Sequence, residues 1–251
     1  MTTTEVANAA EPVIRITNLR KQFGSKVVLS DFSLELRRGE SIVVLGRSGS
    51  GKSVLIKCII GLYMPDNGSI NILDKDISEL DHEGMDEMRA HVGFLFQSNA
   101  LYDSMTVREN LEFPMRRHMK KISKEEANRR VLEALTNVGL AHTVDMMPSE
   151  LSGGMQKRVA LARTLILNPE IMLYDEPTTG LDPVTGKEIS TLMTEIQRIY
   201  NTSSIIISHD MKCVERTADR IAVLLNGMCY ALGTYDELRM SEDVNIKQFF
   251  E

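Results

Sequence analysis

Cysteine is scarce in this chain, an excess of cations is missing, and no apolar run is long. The three cysteines among 251 residues, Cys58, Cys213 and Cys229, lie far apart and show no CxxC spacing. They read as free thiols in a reducing compartment rather than as a disulfide framework. Lys and Arg number 29 against 35 Asp and Glu, a net charge of −6. A coat of phosphate-neutralising cations is therefore absent, which argues against nucleic acid as the partner. No apolar stretch approaches the ~18 to 20 residues that cross a bilayer; residues 42–45 and 221–225 have the length of buried strands. The first dozen residues lack the basic start and apolar centre of a signal peptide. They carry Glu5 and Glu11 but no Arg, unlike a transit peptide. The expectation is a soluble protein that stays where it is made.

What is present is enough apolar material for a real core: 43% of the chain is hydrophobic. The length suits one α/β unit carrying an insertion. Residues 1–10 read as a tail. Short strands are expected at 13–18, 26–29 and 33–36, broken by Phe23-Gly24-Ser25 and by Ser30-Asp31. Residues 41–45 form an unbroken β-rich run suited to a buried central strand. Turn chemistry at Pro65-Asp66-Asn67-Gly68 leads into a strand at 69–73, and residues 92–96 read as another. From there to Leu167 the pattern is helical. Ser123 and Glu126, three apart, fit a capping box, and Ala127, Val131, Leu135 and Val138 recur on one face. The α/β character returns with a strand at 171–175, a helix at 183–200 and a strand at 204–208. A hairpin closes it around Asn226-Gly227.

Chemistry concentrates at two places. Gly46-Arg47-Ser48-Gly49-Ser50-Gly51-Lys52-Ser53 fits the phosphate-binding P-loop at every defined position, between an expected strand and a helix at 52–61. Its glycines let backbone N–H groups turn toward phosphate oxygens, and the helix presents its positive end. Lys52 is placed to reach the β- and γ-phosphates, and Ser53 to hold Mg²⁺. Asp175-Glu176 ends a later strand, where Asp175 can bind the metal's water shell and Glu176 can orient or deprotonate an attacking water. The second place is Leu151-Ser152-Gly153-Gly154-Met155 before a helix at 155–167, a second candidate anion site.

A P-loop followed by this LSGG string resembles the ATP-binding cassette (ABC) ATPases over roughly residues 13–240. The resemblance implies a P-loop NTPase fold: a mainly parallel α/β core, an N-terminal antiparallel β subdomain and an inserted helical subdomain. The core would comprise residues 11–98 and 168–240, the insert 99–167, with tails at 1–10 and 241–251. It implies ATP and Mg²⁺ as ligands, with Gly46 through Ser53 and the following Val54 around the phosphates. Phe23 matches the aromatic that stacks on adenine, though it also fits an ordinary core position. Gln97 resembles the glutamine that touches Mg²⁺ and water and senses a membrane partner. His209 matches the histidine that contacts the γ-phosphate. Ser152, Gly153 and Gly154 resemble the signature that caps ATP held by a second subunit, with Met155 where Gln is usual. Asp182 matches the acid between subunits, while Asp followed by Pro183 equally marks a helix start.

One P-loop and no internal repeat mean one nucleotide-binding unit per chain; the resemblance then implies a head-to-tail homodimer working with a separate transmembrane permease. Val54, the run from Leu95 to Val107 and the run from Pro148 to Arg158 are similar to the ATPases of MCE-associated phospholipid transporters, the Mla type. That implies an MlaE-like permease, an MlaD-like MCE protein reached through it, and a place on the cytoplasmic face of the bacterial inner membrane. Some members extend to hold a STAS-domain partner; the sequence here stops at Phe249-Phe250-Glu251, which leaves that partner unassigned. An importer of a small polar solute and an FtsE-like division cassette share the same nucleotide residues. The 15 methionines include Met105, Met115, Met119 and Met146 in the insert, which suit either core filling or an adaptable docking face.

Overall fold

The computed structural model describes residues 12–250, so the expected tail at 1–10 lies outside the described part. The chain opens with two long strands, β1 (Pro12–Phe23) and β2 (Lys26–Arg37), paired antiparallel. The sequence suggested shorter strands with a break at Ser30-Asp31. The break does not occur, because those polar residues have distant partners. The Ser30 N–H and hydroxyl donate to the carbonyls of Gly227 and Asn226, both at 2.9 Å, and Asn18 donates to the Asp31 carboxylate at 2.8 Å.

Next come β3 (Ser41–Leu45), α1 (Lys52–Ile59), β4 (Asn67–Ile72), β5 (Lys75–Asp76), α2 (His82–Ala90) and β6 (Val92–Leu95). The helical stretch holds α3 (Val107–His118), α4 (Lys124–Asn137) and α5 (Gly153–Leu165). β7 (Ile171–Asp175), α6 (Pro183–Tyr200), β8 (Ser203–Ser208), α7 (Met211–Thr217), β9 (Arg220–Leu225) and β10 (Met228–Gly233) complete the core. Two short helices follow, α8 (Tyr235–Arg239) and α9 (Val244–Lys247). The ten strands form one sheet in the order β5-β4-β1-β2-β10-β9-β3-β8-β7-β6. The block β9-β3-β8-β7-β6 is parallel, and β4, β1 and β2 form an antiparallel ribbon. A single paired position, Met228 with Asp31, joins β10 to β2.

Side-chain alternation sends each central strand into two cores. Val43, Met172, Tyr174, Ile206 and Val223 face the helical side, with α3, α4 and α5. Ile42, Val44, Leu173, Ile205 and Leu224 face α1, α2 and the ribbon. Strands buried on both faces carry near-continuous apolar sequence, which is why β3, β7 and β8 stood out.

Three local expectations change. Ser123 does accept from the Glu126 N–H at 3.1 Å, but Glu126 turns its carboxylate to Arg129 and Arg130 instead of back to the cap. The reciprocal box lies at α3, between Thr106 and Glu109. α5 begins at Gly153, so both glycines sit in its first turn. Residues 241–250, expected as a tail, fold through α9 and pack. Ile246 is buried, and the Phe250 ring meets Tyr235 edge-on at 5.4 Å.

Candidate active site

The P-loop turns between the end of β3 and the start of α1 at the carboxyl edge of the parallel block, where such sheets bind ligands. Two glycines show why the sequence must be glycine there. Gly51 has φ 107, and a Cβ on it would sit 2.9 Å from Val28 Cγ1; one on Gly46 would sit 2.7 Å from Ser50 Oγ. No side chain caps α1, and its first turn carries no acid, so the helix offers free N–H groups to an anion.

Lys52 curls into this loop, 7% exposed, donating to the carbonyls of Gly46 at 2.8 Å and Arg47 at 3.2 Å. Burial pulls its pKa down, and the nearby Glu176 and Asp175 carboxylates resist. Ser53 Oγ lies 3.3 Å from Asp175 Oδ1. Asp175, 6% exposed, is pushed above the usual carboxylate range chiefly by burial, against the pull of the Ser53 hydroxyl and with a further push from Glu176. Glu176 takes a left-handed backbone, φ 49, as the chain turns off β7. Its side chain meets His209 Nδ1 at 2.7 Å, the Thr179 hydroxyl at 3.2 Å and Lys52 Nζ at 3.9 Å. An ionised carboxylate can only accept, so His209 Nδ1 donates and leaves Nε2 for another group.

Lys52, Ser53, Glu176 and His209 line one cleft of about 620 Å³, together with Gln97 and the P-loop glycines; Asp175 is not part of the lining and touches Ser53. Lys26, Val28, Met211 and Phe249 also line the cleft and were not foreseen. Phe249 had no local signal, since only the fold of α9 carries it there. Lys157 was missed as well. Only 2% exposed on α5, it donates to the carbonyls of Gln97 at 2.9 Å and Phe96 at 3.4 Å. Burial lowers its pKa to about 8, with Asp175 resisting. Its signal was register, because it precedes buried Leu161 and Leu165 by four and eight residues on one face.

The remaining expected residues stand elsewhere. Phe23 is not in the cleft lining; it is 44% exposed at the end of β1, edge-on to Tyr63 at 5.3 Å. Ser152, Gly153 and Gly154 do not line the cleft. Ser152 caps α5 by accepting from the Met155 N–H at 3.3 Å. Asp182 caps α6, accepting from the Val184 and Thr185 N–H groups at 3.0 and 3.1 Å. The two helix starts adjoin, since a Cβ on Gly154 would lie 2.6 Å from Thr185 Cγ2.

A triphosphate with a hard cation fits this donor set. Ser50 Oγ is buried without a partner, Lys52 spends its protons on the loop's own carbonyls, and the buried Asp175 meets the Ser53 hydroxyl but forms no ion pair among the described residues. Among the described residues no cluster of three His, Cys, Asp or Glu could hold a metal alone. Ser53 and Asp175 would hold Mg²⁺ together with phosphate oxygens and water, the usual habit of that ion.

A family profile described as ABC transporter matches residues 29–179. The chain belongs to the ABC transporter family. It is an ATP-binding cassette, an ATPase that uses ATP with Mg²⁺. The intermembrane phospholipid transport ATP-binding protein MlaF of Haemophilus influenzae is 36% identical over 95% of this chain and 90% of its own. The methionine import ATP-binding protein MetN of Campylobacter jejuni is likewise 36% identical, over 94% of this chain and 75% of its own. Among solved structures, the dimeric post-hydrolysis state of the cassette MJ0796 bound to ADP and Pi superposes with TM-score 0.80 at 31% identity. That match covers 88% of this chain and 98% of that one. ABC cassettes dimerise and pair with a transmembrane permease. Among the described residues no helix is long and apolar enough to cross a membrane.

Proposed function

We propose that this cassette powers a phospholipid transporter of the Mla type. It would act as a head-to-tail homodimer on the cytoplasmic face of a bacterial inner membrane. Its partners would be an MlaE-like permease and, through it, an MlaD-like MCE protein. The observation that carries the cargo reading is the likeness to MlaF of Haemophilus influenzae along nearly the whole chain. The equally identical MetN favours a second reading, methionine import. Purifying the complex from its native membrane and identifying its subunits and cargo separates them. An MCE protein with bound phospholipid is expected; an amino-acid permease without phospholipid would overturn the reading.

Within each cleft, Lys52 leaves the Gly46 and Arg47 carbonyls for the β- and γ-phosphates, and the N–H groups of residues 46–54 cradle them. Ser53, Asp175 and Gln97 would hold Mg²⁺ together with the nucleotide, and the ion would supply positive charge that neutralises the phosphates. Glu176 accepts a proton from the water that attacks the γ-phosphorus, while the β–γ bridging oxygen leaves with the electron pair. With both ring nitrogens protonated, His209 donates from Nε2 to the γ-phosphate and from Nδ1 to Glu176, which keeps Glu176 in place. Phe23, exposed at the end of β1, stacks on adenine. Ser152, Gly153, Gly154 and Asp182, which have no nucleotide in their own cleft to touch, complete the cleft of the second copy.

A further inference from the structure

α5 grips the segment after β6 with two cations, the buried Lys157 and the half-buried Arg163. Lys157 donates to the carbonyls of Phe96 and Gln97, at 3.4 and 2.9 Å. Six residues along the helix, Arg163 donates to those of Asn99 and Ala100, at 3.0 and 2.7 Å. One helix thus holds the carbonyls of residues 96, 97, 99 and 100. Asn99 and Ala100 have φ 63 and 53, left-handed backbone that non-glycine residues keep only when the surroundings enforce it. Lys157 is buried, and its hydrogen-bond partners among the described residues are carbonyls rather than a carboxylate, although an unpaired buried ammonium is costly. Its protons are spent on the Gln97 segment. The same helix starts at Gly153, capped by Ser152. Ser152 and Lys157 are therefore about 7.5 Å apart along a continuous helix.

We propose that Lys157 and Arg163 are positioning residues that lock Gln97 to α5, so that Gln97 in one cleft and Ser152 in the second copy's cleft shift as one body. The idea rests on the shared-cleft reading above. ATP in one cleft meets Gln97, the displacement passes through the two cations into α5, and Ser152 moves against the other nucleotide. The two clefts are then coupled through a rigid element rather than through a diffuse path.

The test measures hydrolysis against ATP concentration in the full-length dimer, alongside affinity for a fluorescent ATP analogue and Tm. Lys157→Met keeps length and removes the donors. It should lower kcat about tenfold, the scale of a misplaced positioning group, and move a Hill coefficient above ~1.5 toward ~1. Analogue affinity should stay within about twofold, and Lys157→Arg should restore both kcat and cooperativity. Arg163→Gln should act in the same direction, and carries the test if Lys157→Met does not fold. A wild-type Hill coefficient of 1 would overturn the proposal. So would wild-type kcat and cooperativity in Lys157→Met, or equal loss in the Arg variant. Ser152→Ala keeps the two ideas apart. Unchanged turnover there sinks the shared cleft, whereas impaired turnover there with a normal Lys157→Met sinks the tie alone.

Discussion

Two glycine-rich helix starts in this chain look alike in sequence and behave differently in space. At α1 the residue before the helix is Gly51, whose left-handed backbone leaves the N–H groups uncapped and aimed into a walled cleft. At α5 it is Ser152, whose hydroxyl already caps the helix and which stands exposed outside that cleft. The first is a complete phosphate cradle, surrounded by Lys52, Ser53, Asp175 and Glu176. The second has one hydroxyl, two glycines and an adjoining Asp182, and lacks a cation or a metal ligand of its own. A complete site binds by itself; a half site acts only when another molecule brings it a phosphate. Under the proposed function, this difference is the physical reason the ATPase would work as a pair.

Breaking the complete site should give the largest effects. Glu176→Gln keeps shape but loses the base, and should slow hydrolysis on the order of 10²-fold or more with ATP binding intact. Unchanged turnover in a phosphate-release assay would remove Glu176 from that role. Lys52→Ala removes charge-assisted hydrogen bonds worth about 2–3 kcal/mol. The Kd for ATP should rise roughly 30- to 150-fold. Wild-type affinity by calorimetry would contradict the cradle.

The half site should respond more mildly and in a different observable. Ser152→Ala should lower hydrolysis by about tenfold, a modest transition-state loss, while one chain's affinity for ATP stays as it was. A parallel loss of affinity would place Ser152 in its own cleft after all. The glycines sharpen the contrast. Gly51→Ala must adopt φ 107 with its Cβ against Val28, and should cost about 1–3 kcal/mol of stability. Gly153 has ordinary backbone and open space around its would-be Cβ. Gly153→Ala should therefore leave Tm unchanged or raise it, since alanine favours helix; a matching loss at both positions would erase the distinction. The smallest effect is expected at Phe23→Ala, about fivefold in ATP affinity, at the low end of a lost base stack. No change would return Phe23 to a structural role against Tyr63.

The sequence by itself determined what short-range rules govern. The P-loop, the Asp182-Pro183 helix start, the Asn226-Gly227 hairpin and the doubly buried β3, β7 and β8 were legible because turn chemistry, capping and apolar runs act over a few residues. Asn226 and Gly227 do take the positive φ values, 52 and 76, that such a hairpin turn needs. Tertiary structure decided whatever depends on residues far apart in the chain. It carried β2 through Ser30 and Asp31, because their partners come from Asn226, Gly227 and Asn18. It joined Lys52, Glu176 and His209 into one contact string from the ends of three strands. It brought Phe249 to the cleft and spent Lys157 on a carbonyl 60 residues away in sequence. It also kept Ser152 and its glycines out of the cleft, a fact of distance that no local pattern encodes.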